Sequence, residues 1–427
     1  MSVLTSEQLS AFDLIDKGKN IFITSRGAGC GKTFLLKKII EKYSDFWGKP
    51  KNLAITASTG VAAVLINGVT LHSWSGIGIG NKSKDLLLKK VMGDRRSKKR
   101  WKKVEILIID EISLISSDLF TKLEYIARVV RDNNEPFGGI QLIVSGDWLQ
   151  LPNVDNDGYA FESPAWNTSI NNVVYLTKIM RQDNPIFQRV LNQIRVGRIT
   201  KEVKKVLRSR LGVKLENEYG IMPTKLYSLN INVEKINNKS LLKLLTTNKL
   251  SKKNFTAQWL PKNSKFKNHE RYIKLCRAPY SLDLCVGAQV MLIVNAEQFL
   301  VNGSRGVVKG FNDEGHPIVK FVNGIENVIE PKSWEIEYDN NIVGSFKQIP
   351  LKLAYATTIH KSQGSTLDYV EIDLSKIFEI SQGYVGLSRV QDLEKLSIIN
   401  LDFHKFMVNR KALRYYEELE EKLNQSS

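Results

Sequence analysis

The fold of this chain is decided by the stretch GAGCGKT at residues 27–33. An apolar, β-rich run, Asn20 to Thr24, precedes this stretch, and an amphipathic helical pattern follows it. We interpret the strand, glycine loop and helix as a phosphate-binding P-loop of the type Gly-x-x-x-x-Gly-Lys-Thr. Backbone N–H groups of such a loop curl around a polyphosphate, and the helix N-terminus adds partial positive charge. The chain is therefore predicted to bind and hydrolyse a nucleoside triphosphate.

The side chains of the loop have separate expected roles. Lys32 is expected to reach the β- and γ-phosphates, and the Thr33 hydroxyl is expected to hold Mg²⁺. Cys30 lies beside the expected phosphates, and a partly exposed thiol there would make turnover sensitive to oxidation. The residues predicted to contact the nucleotide in this loop are Gly27, Ala28, Gly29, Cys30, Gly31, Lys32 and Thr33.

Two later strand ends supply candidates for the rest of the site. The apolar run 104–109 is typical of a strand buried in a parallel sheet, and it ends in Asp110 and Glu111. We assign Asp110 to the metal and Glu111 to the general base that activates water. The strand predicted at 140–145 leads into a loop that holds Gln150, a candidate sensor of the γ-phosphate. Taken alone, catalytic and structural roles for that loop stay equally open.

Composition favours a polyanionic partner. The chain has 427 residues, 62 Lys and Arg against 44 Asp and Glu, and a formal net charge of +18. Such an excess is typical of nucleic-acid binding, although a lysine-rich genome would also produce it. Residues 82–103 alone contain eleven basic residues against Asp85 and Asp94. A lysine bias spread evenly along the chain would not concentrate charge in this way. A chain of this length is expected to form two to four domains.

The sequence also indicates a compartment. It has no apolar run of membrane-spanning length and no signal peptide pattern. Cys30, Cys276 and Cys285 have neither zinc-site spacing nor a disulfide framework. We therefore expect a soluble intracellular protein with no membrane partner.

Alternating patterns indicate the fold class. Strands at 53–57, 104–109 and 140–145 alternate with helical patterns, which predicts a doubly wound α/β domain with a parallel sheet. The alternation repeats in the second half without a second P-loop. Within this second half, residues 282–347 contain short β-rich runs separated by Gly, Asn and Pro turns. This pattern predicts a small antiparallel barrel inserted into a second α/β domain.

Two basic segments have more than one interpretation. Residues 75–103 are rich in Gly, Lys and Arg and are expected to form an insertion or exposed arm. Residues 249–274 combine eight basic residues with Phe255, Trp259 and Phe266. Basic residues interleaved with aromatic ones suit single-stranded nucleic acid, and a solvated loop is an equal alternative.

With these motifs in order, the chain resembles the Pif-one (petite integration frequency) family of superfamily-one DNA helicases. The resemblance runs from about residue 4 to residue 395. Leu4 to Gln8 is similar to the family's adenine-reading motif, and Asp118 to Arg131 to its signature helix. Residues 286–292 with 302–306 are similar to its inserted Src-homology-3-like barrel, and residues 358–366 to its late DNA-binding motif.

The resemblance implies a domain organisation. Residues 1–170 would form a first RecA-like ATPase domain, with a basic wedge arm at about 75–103 that splits the duplex. Residues 171–281 and 348–427 would form a second RecA-like domain, and 282–347 the barrel. ATP would lie in the cleft between the two RecA-like domains.

The resemblance also implies site residues. By itself Arg389 is interpreted as half of a surface ion pair, and His72 and His360 as residues that stabilise turns. In the family context, the catalytic set is Lys32, Glu111, Gln150, Arg181 and Arg389, with Thr33 and Asp110 at the metal. Gln8 and Gly364 join the loop in binding nucleotide. The DNA-binding set is Thr59, His72, Asn230, Thr358, His360 and Gln363.

The implied activity is that of an ATP-dependent DNA helicase that moves 5′-to-3′ on single-stranded DNA and unwinds duplex DNA. The resemblance implies ATP and Mg²⁺ as cofactors, single-stranded and forked DNA as partners, and a role in DNA replication, repair or recombination. It also implies replication or repair proteins as further partners and a monomer without DNA, located wherever the DNA is: nucleus, cytoplasm or viral replication site. The alternative is a DNA-stimulated ATPase that remodels protein–DNA complexes with little unwinding. The presence of Lys32, Glu111 and Arg389 argues against a third possibility, a binding module with a silent ATPase.

Overall fold

The structure is a computed structural model that describes residues 4–44, 52–153, 157–215, 222–228, 233–276, 278–294, 300, 303–338 and 341–425. The chain divides into two compact units. Unit 1 contains Met1–Ser209, Leu374–Leu393 and Asn400–Ser427, and unit 2 contains Arg210–Asp373 and Glu394–Ile399. These units are a division by compactness, and the domain boundaries given above stay a prediction.

Both units contain helices and strands. The helices are α1 Ser6–Asp16, α2 Lys32–Ser44, α3 Gly60–Leu65, α4 Leu71–Ser75, α5 Lys84–Gly93, α6 Arg95–Lys103, α7 Ser117–Arg131, α8 Pro164–Ser169, α9 Pro185–Arg195, α10 Lys201–Arg208, α11 Val233–Asn248, α12 Gln382–Leu387 and α13 Arg410–Gln425. The strands are β1 Ile21–Ser25, β2 Leu53–Ala57, β3 Val69–Thr70, β4 Ile106–Asp110, β5 Gln141–Ser145, β6 Asn172–Leu176, β7 Thr224–Tyr227, β8 Lys253–Thr256, β9 Gln258–Pro261, β10 Ser281–Leu284, β11 Gln289–Leu292, β12 Arg305–Phe311, β13 Pro317–Phe321, β14 Glu326–Val328, β15 Lys332–Tyr338, β16 Asn341–Gln348, β17 Leu351–Leu353, β18 Ala356–Thr358, β19 Val370–Leu374 and β20 Leu396–Leu401. Among the described residues, no helix has both the length and the apolar character needed to cross a membrane.

Unit 1 is built on a parallel sheet with the strand order β3-β2-β4-β5-β1-β6. Strands β1 and β4 are buried along their whole length, which explains why their sequences are apolar runs rather than alternating ones. Because all paired strands run in one direction, the loops that follow β1, β4 and β5 leave the sheet at the same edge. The predicted doubly wound α/β fold is confirmed, and Lys32, Asp110 with Glu111, and Gln150 lie at or after the ends of β1, β4 and β5 at that edge.

The basic segment 75–103 is folded rather than extended. It forms helices α5 and α6, which pack against each other and against α7. The buried indole of Trp101 on α6 packs on Trp74 with ring centroids 4.6 Å apart, and its Nε1 donates to the carbonyl of Ser75 at 2.9 Å. The expectation of an exposed arm is corrected to a helical hairpin, because Leu87, Val91 and Trp101 join the core of unit 1. Its lysines and arginines are exposed, apart from the half-buried Lys98 and Arg100.

Unit 2 contains a second sheet with the order β18-β7-β19-β20, in which β18 and β19 each pair in parallel with β7. Helix α11 packs on β18 through Asn237. The Asn237 Oδ1 accepts from the backbone N–H groups of Tyr355 and Ala356, and its Nδ2 donates to the Ala356 carbonyl. A buried amide that is satisfied in this way fixes the entry of the chain into β18.

The rest of unit 2 is antiparallel, as the spacing of β-rich runs predicts. One sheet has the order β14-β13-β12-β11-β17, and a second has the order β15-β16-β9. Trp259 of β9 packs on Phe346 and Tyr272, with ring centroids 4.7 and 5.3 Å apart. This packing contradicts the solvated-loop alternative for Trp259, whose half-buried ring packs against a small core, and the nucleic-acid interpretation stays a prediction. Closure of the five-stranded sheet into a Src-homology-3-like barrel stays a prediction.

Candidate active site

The glycine loop joins β1 to α2 at the carboxyl edge of the first sheet. Gly29 and Gly31 have φ angles of 85° and 88°, a left-handed conformation that favours glycine. The predicted spacing was wrong by one residue, because three residues and not four separate Gly27 from Gly31. Arg26 therefore stands where the Gly-x-x-x-x-Gly-Lys-Thr pattern has its first glycine. Glycine is nevertheless present at positions 29 and 31, where the backbone is left-handed.

Lys32 is held at the mouth of the loop by the end of β1. Its Nζ donates to the Ser25 Oγ at 2.8 Å, and that hydroxyl donates to the Gly27 carbonyl at 2.7 Å. Thr33 follows in the first turn of α2. The ammonium group, the Thr33 hydroxyl and the N-terminus of α2 thus lie at one end of the loop, which is the arrangement that binds a polyphosphate.

Gln8 lies against the other side of the loop. It forms a capping box with Thr5 at the start of α1, in which the Gln8 Oε1 accepts from the Thr5 N–H at 3.1 Å. The Gln8 Nε2 is 3.1 Å from the position that a Cβ on Gly31 would take. A side chain at position 31 would therefore crowd Gln8, and the amide is fixed where a base contact is predicted.

The two carboxylates stand at the end of β4. The Asp110 Oδ1 accepts from the Glu111 N–H at 2.9 Å. Burial raises the pKa of Asp110 to about 7, the Glu111 charge adds to this effect, and Lys32 opposes it. Glu111 has φ 53°, an uncommon left-handed conformation for a residue with a side chain. A divalent cation beside Asp110 would favour its charged form, so this carboxylate suits the metal role predicted for it.

Gln150 is held by a buried ion pair that sequence analysis did not find. The Gln150 Nε2 donates to the Asp147 Oδ2 at 3.2 Å, and Asp147 pairs with Arg195 of α9 at 2.8 Å. Asp147 is fully buried, which by itself raises its pKa, but Arg195 and Lys32 lower the pKa to about 2. The acid follows the glycine after β5, but nothing in the sequence points to its partner 48 residues later.

Arg181 and Arg389 meet at one turn of the chain. The Arg181 Nη1 donates to the Ser388 carbonyl at 3.0 Å. Arg389 is only 1% exposed, and its Nη2 donates to the Ser388 Oγ at 2.9 Å. The loop is in contact with this region, since a Cβ on Gly29 would lie 2.5 Å from the Arg181 Cβ. The two predicted γ-phosphate arginines are therefore brought together beside the glycine loop in unit 1.

These arginines are held in an environment that favours an anion. Burial lowers the pKa of Arg181, and burial with the like charge of Arg181 lowers the pKa of Arg389 to about 9. The Glu111 charge acts in the opposite direction on both groups. A γ-phosphate at this place would relieve the repulsion between the two guanidinium groups.

Tyr384 is a second residue that sequence analysis did not assign to the site. Its buried hydroxyl accepts a hydrogen bond of 2.6 Å from the Ala28 N–H of the loop. It lies on α12, the helix that leads into Arg389. Ala28 is a predicted nucleotide contact, and here its N–H is bonded to this side chain.

Cys30 does not match the expectation of a partly exposed thiol. It is 3% exposed, and burial raises its pKa despite the charge of Lys32. The thiolate is the reactive form of cysteine, so a buried thiol with a raised pKa reacts slowly. The predicted sensitivity of turnover to oxidation is therefore not supported by this geometry.

Two residues of the predicted DNA-binding set lie in unit 1. The Thr59 Oγ1 accepts from the Ala62 N–H at 3.2 Å and so caps α3. His72 lies on α4, and burial lowers its pKa, which favours the neutral ring near pH 7. A capping hydroxyl and a half-buried neutral imidazole are polar groups suited to contacts with sugar and phosphate.

Thr358, His360 and Gln363 of that set lie in unit 2. Thr358 ends β18, is 2% exposed, and its Oγ1 accepts from the Lys361 N–H at 3.1 Å. His360 stands in the short 3₁₀ turn that follows, Gln363 is buried, and Gly364 has a left-handed φ of 77°. The burial of Thr358 indicates a structural task in this turn besides any contact with DNA. Asn230 lies outside the described residues, and the DNA roles stay predictions.

A glycine loop on a parallel sheet, with a lysine, two carboxylates and two arginines around it, is typical of P-loop nucleoside triphosphatases. The chain matches the family model described as PIF1-like helicase over residues 3–205, and the one described as DNA helicase Pif1, 2B domain, over residues 274–311. It is 36% identical over 464 residues to the ATP-dependent DNA helicase PIF1 of Emericella nidulans. That match covers 95% of this chain and 62% of the length of the relative.

Solved structures agree with these matches. The crystal structure of Pif1 helicase from Candida albicans has a TM-score of 0.82 and 35% identity, and the match covers 98% of this chain and 100% of that one. The structure of Pif1 helicase from Bacteroides in complex with ADP-AlF3 and ssDNA has a TM-score of 0.67 and 32% identity, with 99% and 98% of the two chains covered. This chain belongs to the PIF1-like helicase family.

Proposed function

We propose that this chain is an ATP-dependent DNA helicase that moves 5′-to-3′ on single-stranded DNA and unwinds duplex DNA. The observation that carries the proposal is the meeting of Arg181 and Arg389 at Ser388, beside the glycine loop. Arginines at a γ-phosphate stabilise the charge of the transition state and are worth about 10³–10⁵ in rate. Their presence with a general base favours turnover over simple nucleotide binding.

The roles of the remaining residues follow from their chemistry. Lys32 would hold the β- and γ-phosphates, Glu111 would take the proton of the attacking water, and Gln150 would orient that water. Thr33 and Asp110 fit a Mg²⁺ ion, which when bound neutralises phosphate charge. Among the described residues there is no group of three or more His, Cys, Asp or Glu that could hold a metal by itself. This agrees with a cation that takes some of its ligands from phosphate oxygens.

Binding of single-stranded DNA is proposed from the relatives and from charge. The Bacteroides relative is described with ssDNA, and this chain carries a net charge of +18. Because neutralised phosphates release counterions, affinity should fall steeply with salt. We infer contacts from the predicted set in both units, and we infer that the protein acts in whichever compartment holds its DNA.

The hairpin of α5 and α6 is proposed to hold the duplex ahead of the moving strand. Helix α6 carries seven basic residues and no acidic one in nine positions. The loop before the hairpin presents Ile79, which is 83% exposed, between Gly78 and Gly80 with left-handed φ angles of 70° and 84°. Apolar side chains are known to enter between base steps and separate them. We infer that Ile79, beside this basic surface, acts at a fork junction.

A pair of fork substrates tests the proposal. Each carries one single-stranded tail, 5′ in one fork and 3′ in the other, and strand separation is followed with ATP and Mg²⁺. We expect unwinding of the 5′-tailed fork only. Unwinding of the 3′-tailed fork alone would overturn the polarity. DNA-stimulated ATPase activity with neither fork unwound would replace the helicase assignment with a remodelling ATPase.

A further inference from the structure

One hydroxyl group of helix α13 contacts residues that support the candidate active site. Tyr416 is buried, and its OH donates to the Asp147 Oδ1 at 3.1 Å. The Tyr416 hydroxyl oxygen also accepts from the Trp148 N–H at 3.2 Å and lies 2.6 Å from the Thr24 Oγ1. One hydroxyl therefore joins α13 to the end of β1 and to the loop after β5.

The Asp147 carboxylate connects Tyr416 to two residues of the nucleotide site, Gln150 and Lys32. One carboxylate oxygen accepts from the Gln150 side chain, and Arg195 pairs with the same carboxylate. The Arg195 Nη2 also donates to the Ser25 carbonyl at 3.0 Å, and the Ser25 hydroxyl accepts from Lys32. The Asp147 carboxylate is thus the shared support of the predicted sensor and of the strand end that holds the lysine.

The Tyr416 hydroxyl keeps its proton at this position. Burial raises the pKa of Tyr416 well above its ordinary value, and the Asp147 charge raises it further. The Arg195 guanidinium lies 4.6 Å from the centre of the Tyr416 ring, so the ring also covers the cation. Because Arg195 is held from the other side by Asp147, a ring without the hydroxyl would keep this packing and lose only the hydrogen bonds.

We propose that Tyr416 is a positioning residue for ATP hydrolysis, which sets the orientation of Gln150 by fixing the carboxylate of Asp147. The proposal rests on the function proposed above. It makes the last helix of the chain part of the ATPase machinery, whereas its amphipathic pattern indicates only a packing role. The effect is specific to the hydroxyl, because a hydrogen bond to a charged group is worth more than one between neutral groups.

A matched pair of variants separates positioning from anchoring of the helix. Tyr416→Phe removes the hydroxyl on Asp147. Tyr175→Phe removes another hydroxyl that holds α13, since the Tyr175 OH donates to the Glu420 Oε1 at 2.6 Å. Tyr416→Phe removes three hydrogen bonds that hold α13, and Tyr175→Phe removes one, so thermal unfolding is needed to compare their structural effects.

Two measurements report the role of Gln150. The first is steady-state ATP hydrolysis with single-stranded DNA, in which Tyr416→Phe should lower kcat about tenfold and change KM for ATP less than twofold. The second is binding, as the ratio of the affinity for ADP with aluminium fluoride to the affinity for ADP alone. A transition-state mimic depends on the sensor, and ADP does not, so the ratio should fall about tenfold in Tyr416→Phe.

The outcomes are distinct. Tyr175→Phe should match the wild type in kcat and in the affinity ratio, whatever its melting temperature. Equal losses in both variants, or no loss in Tyr416→Phe, would overturn the positioning role. Absence of ATP hydrolysis in the wild-type chain would instead overturn the proposed function, and the affinity ratio would then stand alone as the test of Tyr416.

Discussion

Gln182 donates a hydrogen bond of 2.9 Å from its Nε2 to the carbonyl of Val390, across 208 residues of sequence. It also donates to the Ser388 carbonyl at 3.2 Å. Gln182 follows Arg181, and Val390 follows Arg389. One buried amide therefore fixes the separation of the two arginines, which is a requirement for two cations that act on one phosphoryl group.

Replacement of Arg389 by Lys tests this geometry. The guanidinium Nε and Nη2 donate to the Val385 carbonyl and the Ser388 hydroxyl, and an ammonium group cannot reproduce that fork. We expect kcat for ATP to fall by about 10³ with a smaller change in KM. The control is Arg410→Lys, an exposed arginine of α13. Steady-state kinetics in which both variants resemble the wild type would exclude a γ-phosphate role.

Lys32→Ala and Glu111→Gln should abolish turnover and leave DNA binding intact. Lys32 is held at the loop by Ser25, and Glu111 at the end of β4, so both are parts of the nucleotide site. The DNA-binding candidates are other residues in both units. Fluorescence anisotropy with a labelled single strand, beside a phosphate-release assay, measures both properties. A folded Lys32→Ala protein that no longer binds the strand would contradict this division of roles.

The Asp147–Arg195 pair should make the free energy of unfolding depend on pH in the acidic range. The folded-state pKa of Asp147 is about 2, below its ordinary value of 3.8, so the unfolded chain takes up the proton first as pH falls. The pair's contribution, about 2 kcal/mol, is complete above about pH 5 and is lost progressively as pH falls toward 2. Urea unfolding of the wild type at pH 5, 4 and 3 measures this loss.

The matched variant for that series is Asp147→Asn. It lacks the titrating group, so the difference in stability between wild type and variant should shrink as the pH falls. A constant difference over the series would mean that Asp147 is not the group responsible.

The outer face of α6 should contribute to the salt dependence of fork binding. Lys99, Lys102 and Lys103 are exposed, whereas Arg100 is bonded to the Trp74 carbonyl and is left unchanged. Replacing the three lysines by Gln should reduce the slope of log affinity against log salt by about 2 to 3. The control replaces three exposed lysines of α10, Lys201, Lys204 and Lys205, with the same change in net charge. Equal slopes for the two triple variants would show that α6 is only a solvated surface.

Ile79→Ala should separate unwinding from movement along a single strand. If the side chain acts at the junction, unwinding of a fork should slow several-fold while ATPase activity stimulated by single-stranded DNA stays within twofold of the wild type. Leu86 of α5, which is also largely exposed, provides the control as Leu86→Ala. Equal slowing of both activities would place Ile79 on the tracked strand instead, and unchanged unwinding would remove it from the mechanism.

Local pattern allowed much of the nucleotide site to be predicted. Strand β4 is a continuous apolar run because both of its faces are covered, and its end places Asp110 and Glu111 at the sheet edge. The glycine loop was recognised although its first glycine is replaced by Arg26. The folded state of residues 75–103 was missed, because Leu87, Val91 and Trp101 are few among many basic residues and their burial depends on α7.

The sequence by itself determined the parallel sheet, the glycine loop and the two carboxylates, because each depends on the spacing of residues close together in the chain. Only the tertiary structure decided what supports them. The contacts of Asp147 with Arg195 and Tyr416, and of Ala28 with Tyr384, join residues 48 to 356 positions apart. Such contacts arise from the packing of whole helices on the sheet, and no local periodicity records which polar side chain will meet which partner.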